Sequence, residues 1–176
     1  ALCPAPTPLE RVHGSLYDPL DAERLFDLIL VNPPFELVPE DETWFLHSDG
    51  GEDGLDVVRD LLANTPERLA PGGRFEIITW SPGTARGPLL VDLMRDSLPG
   101  MRLIVHLLDV QPLAEHIAPF RDTPGFDAFH ARLVARGLEE VYFLFVHAAP
   151  ARTPGVEVVT PQVEVETCRA LAAQWL

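Results

Sequence analysis

The run Phe26-Asp27-Leu28-Ile29-Leu30-Val31-Asn32-Pro33-Pro34-Phe35 decides how this chain can fold. Its first six residues are mostly apolar, and two prolines stop the run abruptly. A continuous apolar run of this length is typical of a strand that is covered on both faces, as in a parallel sheet. We therefore expect a central parallel strand with Asn32 at its carboxyl end, which is where ligands bind in sheets of this kind.

Helical and strand patterns alternate after this run. Leu55, Val58, Leu61, Leu62 and Leu69 recur at helical spacing, and Pro71-Gly72-Gly73 has the composition of a helix stop. Further strands are predicted at residues 74–80, 102–108 and 141–146, with a helix over 88–98 between the first two. Alternation of this kind predicts an α/β fold, with a mostly parallel Rossmann-like sheet flanked by helices.

The domain organisation follows from composition. Residues 1–9 contain alternating prolines and are predicted to be an extended lead-in. Residues 10–150 form the Rossmann-like domain, beginning with a short strand at 11–14 and including a helix around 126–134 within a segment of unassigned role, 109–137. Residues 151–176 form a C-terminal extension with a short helix after Pro161.

Charge and cysteine content narrow the classes of function. The 176 residues carry 27 acidic and 13 basic side chains, and the formal net charge of −14 disfavours nucleic-acid binding by this segment alone. Nucleic acid is expected only through a further domain. The two cysteines, Cys3 and Cys168, lie at opposite ends without metal-ligand spacing, so no metal site is predicted. We expect no membrane contact, because no apolar run is long enough, and a cytoplasmic location.

Three segments carry a resemblance to a known family. Residues 27–35 resemble motif IV of the class I S-adenosylmethionine-dependent methyltransferases that modify planar amino nitrogens. Residues 50–55, Gly-Gly-Glu-Asp-Gly-Leu, are similar to the segment that follows this motif in glutamine methyltransferases of the HemK/PrmC type. Residues 69–75, Leu-Ala-Pro-Gly-Gly-Arg-Phe, resemble that family's turn into strand five. The resemblance implies S-adenosylmethionine as cofactor and a domain comprising the family's strands three to seven.

The resemblance also implies roles for the NPPF motif. The Asn32 side-chain oxygen and the Pro33 carbonyl would accept the two N–H bonds of the amino group, and so hold its nitrogen in line with the methyl donor. Pro34 would stiffen the turn, and Phe35 would offer a flat face to a planar acceptor. The alternative is an ordinary loop in which Asn32 makes a turn and Phe35 packs in the core.

Other site residues are predicted from their positions. Gly14, Ser15 and Leu16, together with Asn32, would contact the cofactor, although Ser15 stands where the family usually has aspartate. Trp44 and Asp53 would contact the acceptor, together with Phe35. For Trp44 the alternative is local loop packing, and for Glu52 and Asp53 it is a solvated loop surface.

The cofactor-binding glycine turn of the resembled family has no counterpart upstream of Val12. We therefore expect the chain to be the C-terminal portion of a longer polypeptide, with an upstream segment or a partner chain paired to the edge of the 26–31 strand. The methyl acceptor would be a protein or a small molecule. The alternative function is a non-catalytic, methyltransferase-like binding or scaffold module.

Overall fold

A computed structural model describes residues 9–40, 42 and 44–160. The elements in chain order are β1 (Phe26–Val31), α1 (Asp56–Asn64), β2 (Leu69–Thr84), β3 (Gly87–Pro88), α2 (Leu89–Ser97), β4 (Met101–Pro112), α3 (Leu113–His116), α4 (Phe126–Ala135), β5 (Glu140–Pro150) and β6 (Gly155–Val159). Short 3-10 helices at Thr65–Arg68 and Ala118–Phe120 follow α1 and α3. The predicted extended structure of residues 1–8 and the predicted helix after Pro161 lie outside the described residues.

The strands form a mixed sheet in the order β1-β2-β5-β4-β6, with β3 paired to the end of β2. β1 pairs with β2 and β4 with β6 in parallel, whereas β5 runs antiparallel to both of its neighbours. β1, β2, β4 and β6 therefore point in one direction, and the carboxyl ends of β1, β2 and β4 share one edge of the sheet. This arrangement of strands and helices is the predicted Rossmann-like α/β class.

The main core lies between the sheet and the helices α1 and α2. Val58, Leu61 and Leu62 of α1 fall at helical spacing on one face, which is why this segment forms a helix against the sheet. They pack with buried residues of α2 and of the strands β1, β2, β4 and β5, including Leu90, Met94, Ile29, Phe75, Leu103 and Val146. A second cluster of buried residues lies at the carboxyl edge of the strands and includes Leu37, Leu113, Ile117, Phe129, Leu133, Leu138 and Val141.

Strand β1 is an edge strand among the described residues, so the prediction of a central strand covered on both faces is wrong for this part of the chain. Ile29 faces the core, but Leu28 is 42% exposed and Leu30 is 66% exposed. Water is a poor environment for two large apolar side chains on a sheet edge. The apolar run therefore indicates a covering that the described residues do not supply.

Three further expectations are corrected. The short strand at residues 11–14 does not form, and these residues run as irregular chain into a turn that Tyr17 anchors by a 2.9 Å hydrogen bond to Thr65. Pro71-Gly72-Gly73 does not end the helix, which stops at Asn64, but makes an excursion inside β2, between the residues that pair with Phe26 and Leu28. Strand β6, in the predicted C-terminal extension, was missed because it is a short run directly after Pro154.

The predicted helix of the 109–137 segment is confirmed as α4, which covers residues 126–135. Within the part of the chain that the structure describes, no helix has the length and apolarity needed to cross a membrane.

Candidate functional site

The NPPF turn lies at the edge of the sheet where β1, β2 and β4 end. Asn32 follows Val31 directly and is exposed, Pro33 is buried, and Pro34 and Phe35 are partly buried. The two prolines fix two successive φ angles, so the backbone that carries the Asn32 side chain and the Pro33 carbonyl has little freedom. The side chain of Asn32 is therefore held open to solvent rather than sealed in the core.

The chain from Glu36 to Gly54, here called the 36–54 loop, folds back beside this turn. Its two ends pair through backbone hydrogen bonds from Glu36 N to Ser48 O (2.8 Å), from Gly50 N to Glu36 O (3.0 Å) and from Val38 N to Gly51 O (3.0 Å). At Gly54, whose φ is +73°, a Cβ atom would lie 2.5 Å from the Phe35 carbonyl oxygen. Only glycine permits that close approach, so the Gly-Gly-Glu-Asp-Gly segment rests directly on the NPPF turn.

Asp53 anchors the returning end of this loop. Its side chain is only 3% exposed, and its carboxylate accepts hydrogen bonds from Arg59, from Arg136 (2.5 Å) and from the backbone N of Leu55 (3.2 Å). Burial pushes the pKa of Asp53 upward, but hydrogen bonds and charge from Arg59 and Arg136 outweigh burial, so the pKa lies below its usual value. The alternative of a solvated loop acid is therefore wrong for Asp53, and its contact with the acceptor remains a prediction.

Glu52 differs from its neighbour, because its ion pair with Arg132 (2.5 Å) joins two partly exposed side chains. The Glu52–Arg132 pair connects the 36–54 loop to α4, and the Asp53–Arg136 pair connects it to the residue just after α4. Asp53, Arg59 and Arg136 also line a cavity of about 630 Å³ on the outer side of the loop. Its other lining residues are predominantly acidic and include Glu40, Glu42, Asp49, Glu52 and Asp56.

A buried histidine touches the other end of the loop. His116, the last residue of α3, is 9% exposed, and its Nδ1 lies 2.5 Å from Gln111 Nε2. Its Nε2 lies 3.6 Å from Glu36 Oε2 and has no hydrogen-bond partner among the described residues. Burial lowers the pKa of His116 to about 4 and raises the pKa of Glu36. At neutral pH the pair is therefore an uncharged imidazole beside a carboxylate.

Aromatic rings follow the middle of the 36–54 loop. The Trp44 ring lies 4.6 Å from the Phe120 ring and 5.6 Å from the Phe45 ring, and Phe45 is 64% exposed. Trp44 therefore makes the local packing contacts that the alternative reading required. A contact between Trp44 and an acceptor remains a prediction.

Of the predicted cofactor residues 14–16, Leu16 lines two hollows, Ser15 lines one of them, and Gly14 lines neither. Leu16 and Tyr17 line a mainly apolar hollow of about 280 Å³ that runs along β1 from Phe26 to Val31 and so ends next to Asn32. Ser15 is exposed in a second hollow of about 310 Å³, toward the last residues of α1. Leu16 has a φ of +45°, a left-handed conformation that is strained for a residue with a Cβ. Strain of this kind is concentrated at functional sites.

Known proteins resemble this chain over part of its length. A release factor glutamine methyltransferase from Gloeobacter violaceus is 38% identical over 104 residues, which cover 50% of this chain and 34% of that protein. A ribosomal protein uL3 glutamine methyltransferase from Bradyrhizobium diazoefficiens is 46% identical over 68 residues, covering 34% and 21%. A release factor glutamine methyltransferase from Geobacter sulfurreducens is 44% identical over 69 residues, covering 34% and 24%.

The resemblance to the glutamine methyltransferases is confirmed. The aligned part spans about a third or less of each of these glutamine methyltransferases. No protein-family model matches the chain.

Among solved structures, residues 961–1257 of the StiE O-methyltransferase align with a TM-score of 0.32 at 14% identity, covering 74% of this chain and 46% of that one. Phosphoethanolamine N-methyltransferase 2 of Haemonchus contortus, in complex with S-adenosylmethionine, aligns with a TM-score of 0.30 at 10% identity, covering 72% and 34%. TM-scores this low do not by themselves indicate a shared fold.

Sequence reasoning missed three residues that organise this site. Arg59 lies in α1, six residues after Asp53, whereas Arg136 (after α4) and His116 (in α3) lie far along the chain from the loop that they contact. Nothing in the local pattern around Arg136 could have indicated a partner 83 positions away.

Proposed function

We propose that this chain forms the acceptor side of an S-adenosylmethionine-dependent N-methyltransferase that acts on a planar amino nitrogen, foremost the side-chain amide of a protein glutamine. The observation that carries the proposal is the exposed Asn32 side chain on a proline-fixed turn at the carboxyl edge of the sheet. An ordinary loop needs no such rigidity at an exposed polar residue. The similarity to glutamine methyltransferases over the aligned part supports the same activity.

The chemistry accounts for the residue types. An amide nitrogen shares its lone pair with the carbonyl group and is therefore a poor nucleophile. Two acceptors on its N–H bonds, the Asn32 side-chain oxygen and the Pro33 carbonyl, would orient the nitrogen and direct its electron density toward the methyl group. Phe35 would pack against the flat amide. S-adenosylmethionine, when bound, supplies a methyl group on a positively charged sulfur. The acceptor nitrogen loses its proton after transfer, so no general base is needed beforehand.

The described residues fit part of this cofactor. The apolar hollow along β1 lies at the edge of that strand that is unpaired among the described residues, where an upstream segment would pair, so it is not assigned to the cofactor. The Ser15 hydroxyl could accept a hydrogen bond from an amino group, although more weakly than an aspartate. The remaining contacts would come from an upstream segment or a partner chain that pairs with the β1 edge. The exposure of Leu28 and Leu30 supports such pairing.

A protein acceptor is favoured over a nucleic acid. The net charge of −14 and the acidic cavity beside the 36–54 loop disfavour polyphosphate. The similar proteins are named for release factors and for ribosomal protein uL3. A small-molecule acceptor would use the same NPPF turn, and a nucleic acid would require a positively charged further domain.

The test compares binding with turnover in the complete polypeptide that contains this chain. Titration calorimetry measures the affinity for S-adenosylmethionine, and transfer of a labelled methyl group to a purified bacterial release factor measures turnover. We expect Asn32→Ala to lower turnover roughly a thousandfold and to change the cofactor affinity less than about threefold, because the backbone of the turn is preserved. Thr153→Ala, in the exposed turn before β6, is the control and should change neither quantity.

Two outcomes would contradict the proposal. Equal losses of cofactor affinity and turnover in Asn32→Ala would refute a role in holding the acceptor. A complete polypeptide that does not bind S-adenosylmethionine would instead favour a non-catalytic module.

A further inference from the structure

The buried imidazole of His116 has a nitrogen, Nε2, that makes no hydrogen bond with any residue that the structure describes. An unpaired polar atom in the interior normally costs about 1 to 3 kcal/mol. Proteins rarely carry such a group without a reason. The nearest carboxylate contact is Glu36 Oε2, at 3.6 Å from His116 Nε2.

The tautomer of this ring follows from its other contact. Gln111 presents its amide nitrogen to His116 Nδ1 at 2.5 Å, and an amide nitrogen can only donate. With the Gln111 amide in this orientation Nδ1 accepts, so the proton of the neutral ring is on Nε2. The Nε2–H group faces the Glu36 carboxylate, and a shift of roughly half an ångström would bring the two atoms within hydrogen-bond distance.

Glu36 lies next to the NPPF turn, so its contact with His116 bears on the position of that turn. Glu36 is the first residue after the NPPF turn, and its backbone is paired on both sides, with Ser48 O and Gly50 N. Gln111 lies at the end of β4 and His116 in α3, and β4 is three strands away from β1 in the sheet. The His116 to Glu36 contact therefore joins the NPPF turn to the far side of the carboxyl edge.

We propose that His116 is a positioning residue, whose Nε2–H binds the Glu36 carboxylate when the acceptor is bound and thereby fixes the orientation of the NPPF turn. The proposal rests on the methyltransferase function proposed above. On this proposal the 109–137 segment, through His116, holds the NPPF turn in the geometry needed for methyl transfer. His116 does not touch the acceptor, and the packing of its ring near Trp80, at 5.4 Å, is a separate structural contact.

The test is a double-mutant cycle in the complete polypeptide, with methyl transfer from S-adenosylmethionine to a purified bacterial release factor as the assay. His116→Phe keeps an aromatic ring beside Trp80 and removes the donor, and Glu36→Gln removes the charged acceptor. We expect each variant to lower kcat about tenfold, the usual effect of losing a hydrogen bond to a charged group. The double variant should be no slower than the slower single variant, because the two residues act together.

Two further variants separate positioning from folding. His116→Gln returns an N–H group near the position of Nε2, so it should recover most of the lost kcat. His130→Gln, on α4, is the matched control and should stay within about twofold of wild type, because it faces neither Glu36 nor the turn. Cofactor affinity and the KM for the release factor should change less than kcat in all these variants.

Each result has a distinct meaning. Losses of kcat that multiply in the double variant, or a kcat of His116→Phe within twofold of wild type, would overturn the positioning role while leaving the methyltransferase proposal intact. A wild-type polypeptide that transfers no methyl group to the release factor would overturn both proposals together.

Discussion

The NPPF turn and the 36–54 loop are adjacent in sequence and in space, but they are held in different ways. The turn is fixed locally, because Pro33 and Pro34 limit its own backbone. The loop is fixed at a distance, by Asp53 on Arg136 and by the packing of Leu37 among residues of α3 and α4. The proposed acceptor contacts are therefore held by local backbone restraint, whereas the 36–54 loop beside them is held by contacts with residues far along the chain.

The largest expected effect on stability comes from the long-range network. Asp53→Ala removes a buried carboxylate that accepts hydrogen bonds from Arg59, Arg136 and the backbone N of Leu55, and losing these charge-assisted hydrogen bonds should lower the free energy of unfolding by about 3 kcal/mol. Glu52→Ala, its neighbour, is the matched control. It removes a partly exposed ion pair and should cost less than about 1 kcal/mol. Denaturant unfolding of the complete polypeptide measures the free energy of unfolding of both variants. Equal losses would contradict the role of Asp53 in holding the 36–54 loop.

A second effect concerns pH and the buried His116. Its pKa is about 4 in the folded state and near 6.5 when exposed, so the unfolded chain binds the proton first as the pH falls. Stability is therefore lost between pH 6.5 and 4. The neighbouring Glu36, whose pKa is raised by burial, opposes this by taking up a proton in the folded state as the pH falls. We expect the His116 contribution to be about 2 kcal/mol, somewhat less than the pKa difference alone would give.

His116→Phe tests this contribution, because the substitution removes the group while keeping a ring. The difference in stability between pH 7 and pH 4 should be smaller in this variant than in wild type. An unchanged pH dependence would mean that His116 is not buried in its neutral form.

The smallest effect belongs to the turn itself. Pro34→Ala removes one fixed φ angle and makes no cavity in the core, so it should lower the free energy of unfolding by at most about 1 kcal/mol. Turnover should nevertheless fall more than stability suggests, because the acceptor oxygens lose orientation. If Pro34→Ala destabilised the protein as much as Asp53→Ala, the distinction between the two regions would fail.

The same distinction explains what the sequence could predict. The NPPF turn, the α/β class and the strands β1, β2, β4 and β5 depend on patterns within a few residues of one another, and all of these elements were expected. The burial of Asp53 depends on Arg136, which lies far along the chain, so the sequence left open an acceptor contact or a solvated surface and did not predict a buried ion pair. β1 was expected in the centre of the sheet because its composition is mostly apolar, but it is an edge strand among the described residues.

The central claim is that Asn32 and Pro33 hold an amide nitrogen for methylation. The most direct measurement incubates the complete polypeptide and S-adenosylmethionine with a purified bacterial release factor and locates the added methyl group by peptide mass spectrometry. We predict a methyl group on a glutamine side-chain nitrogen with wild type and none with Asn32→Ala. A methyl group on a carboxylate or on carbon, or equal methylation by Asn32→Ala, would contradict the account.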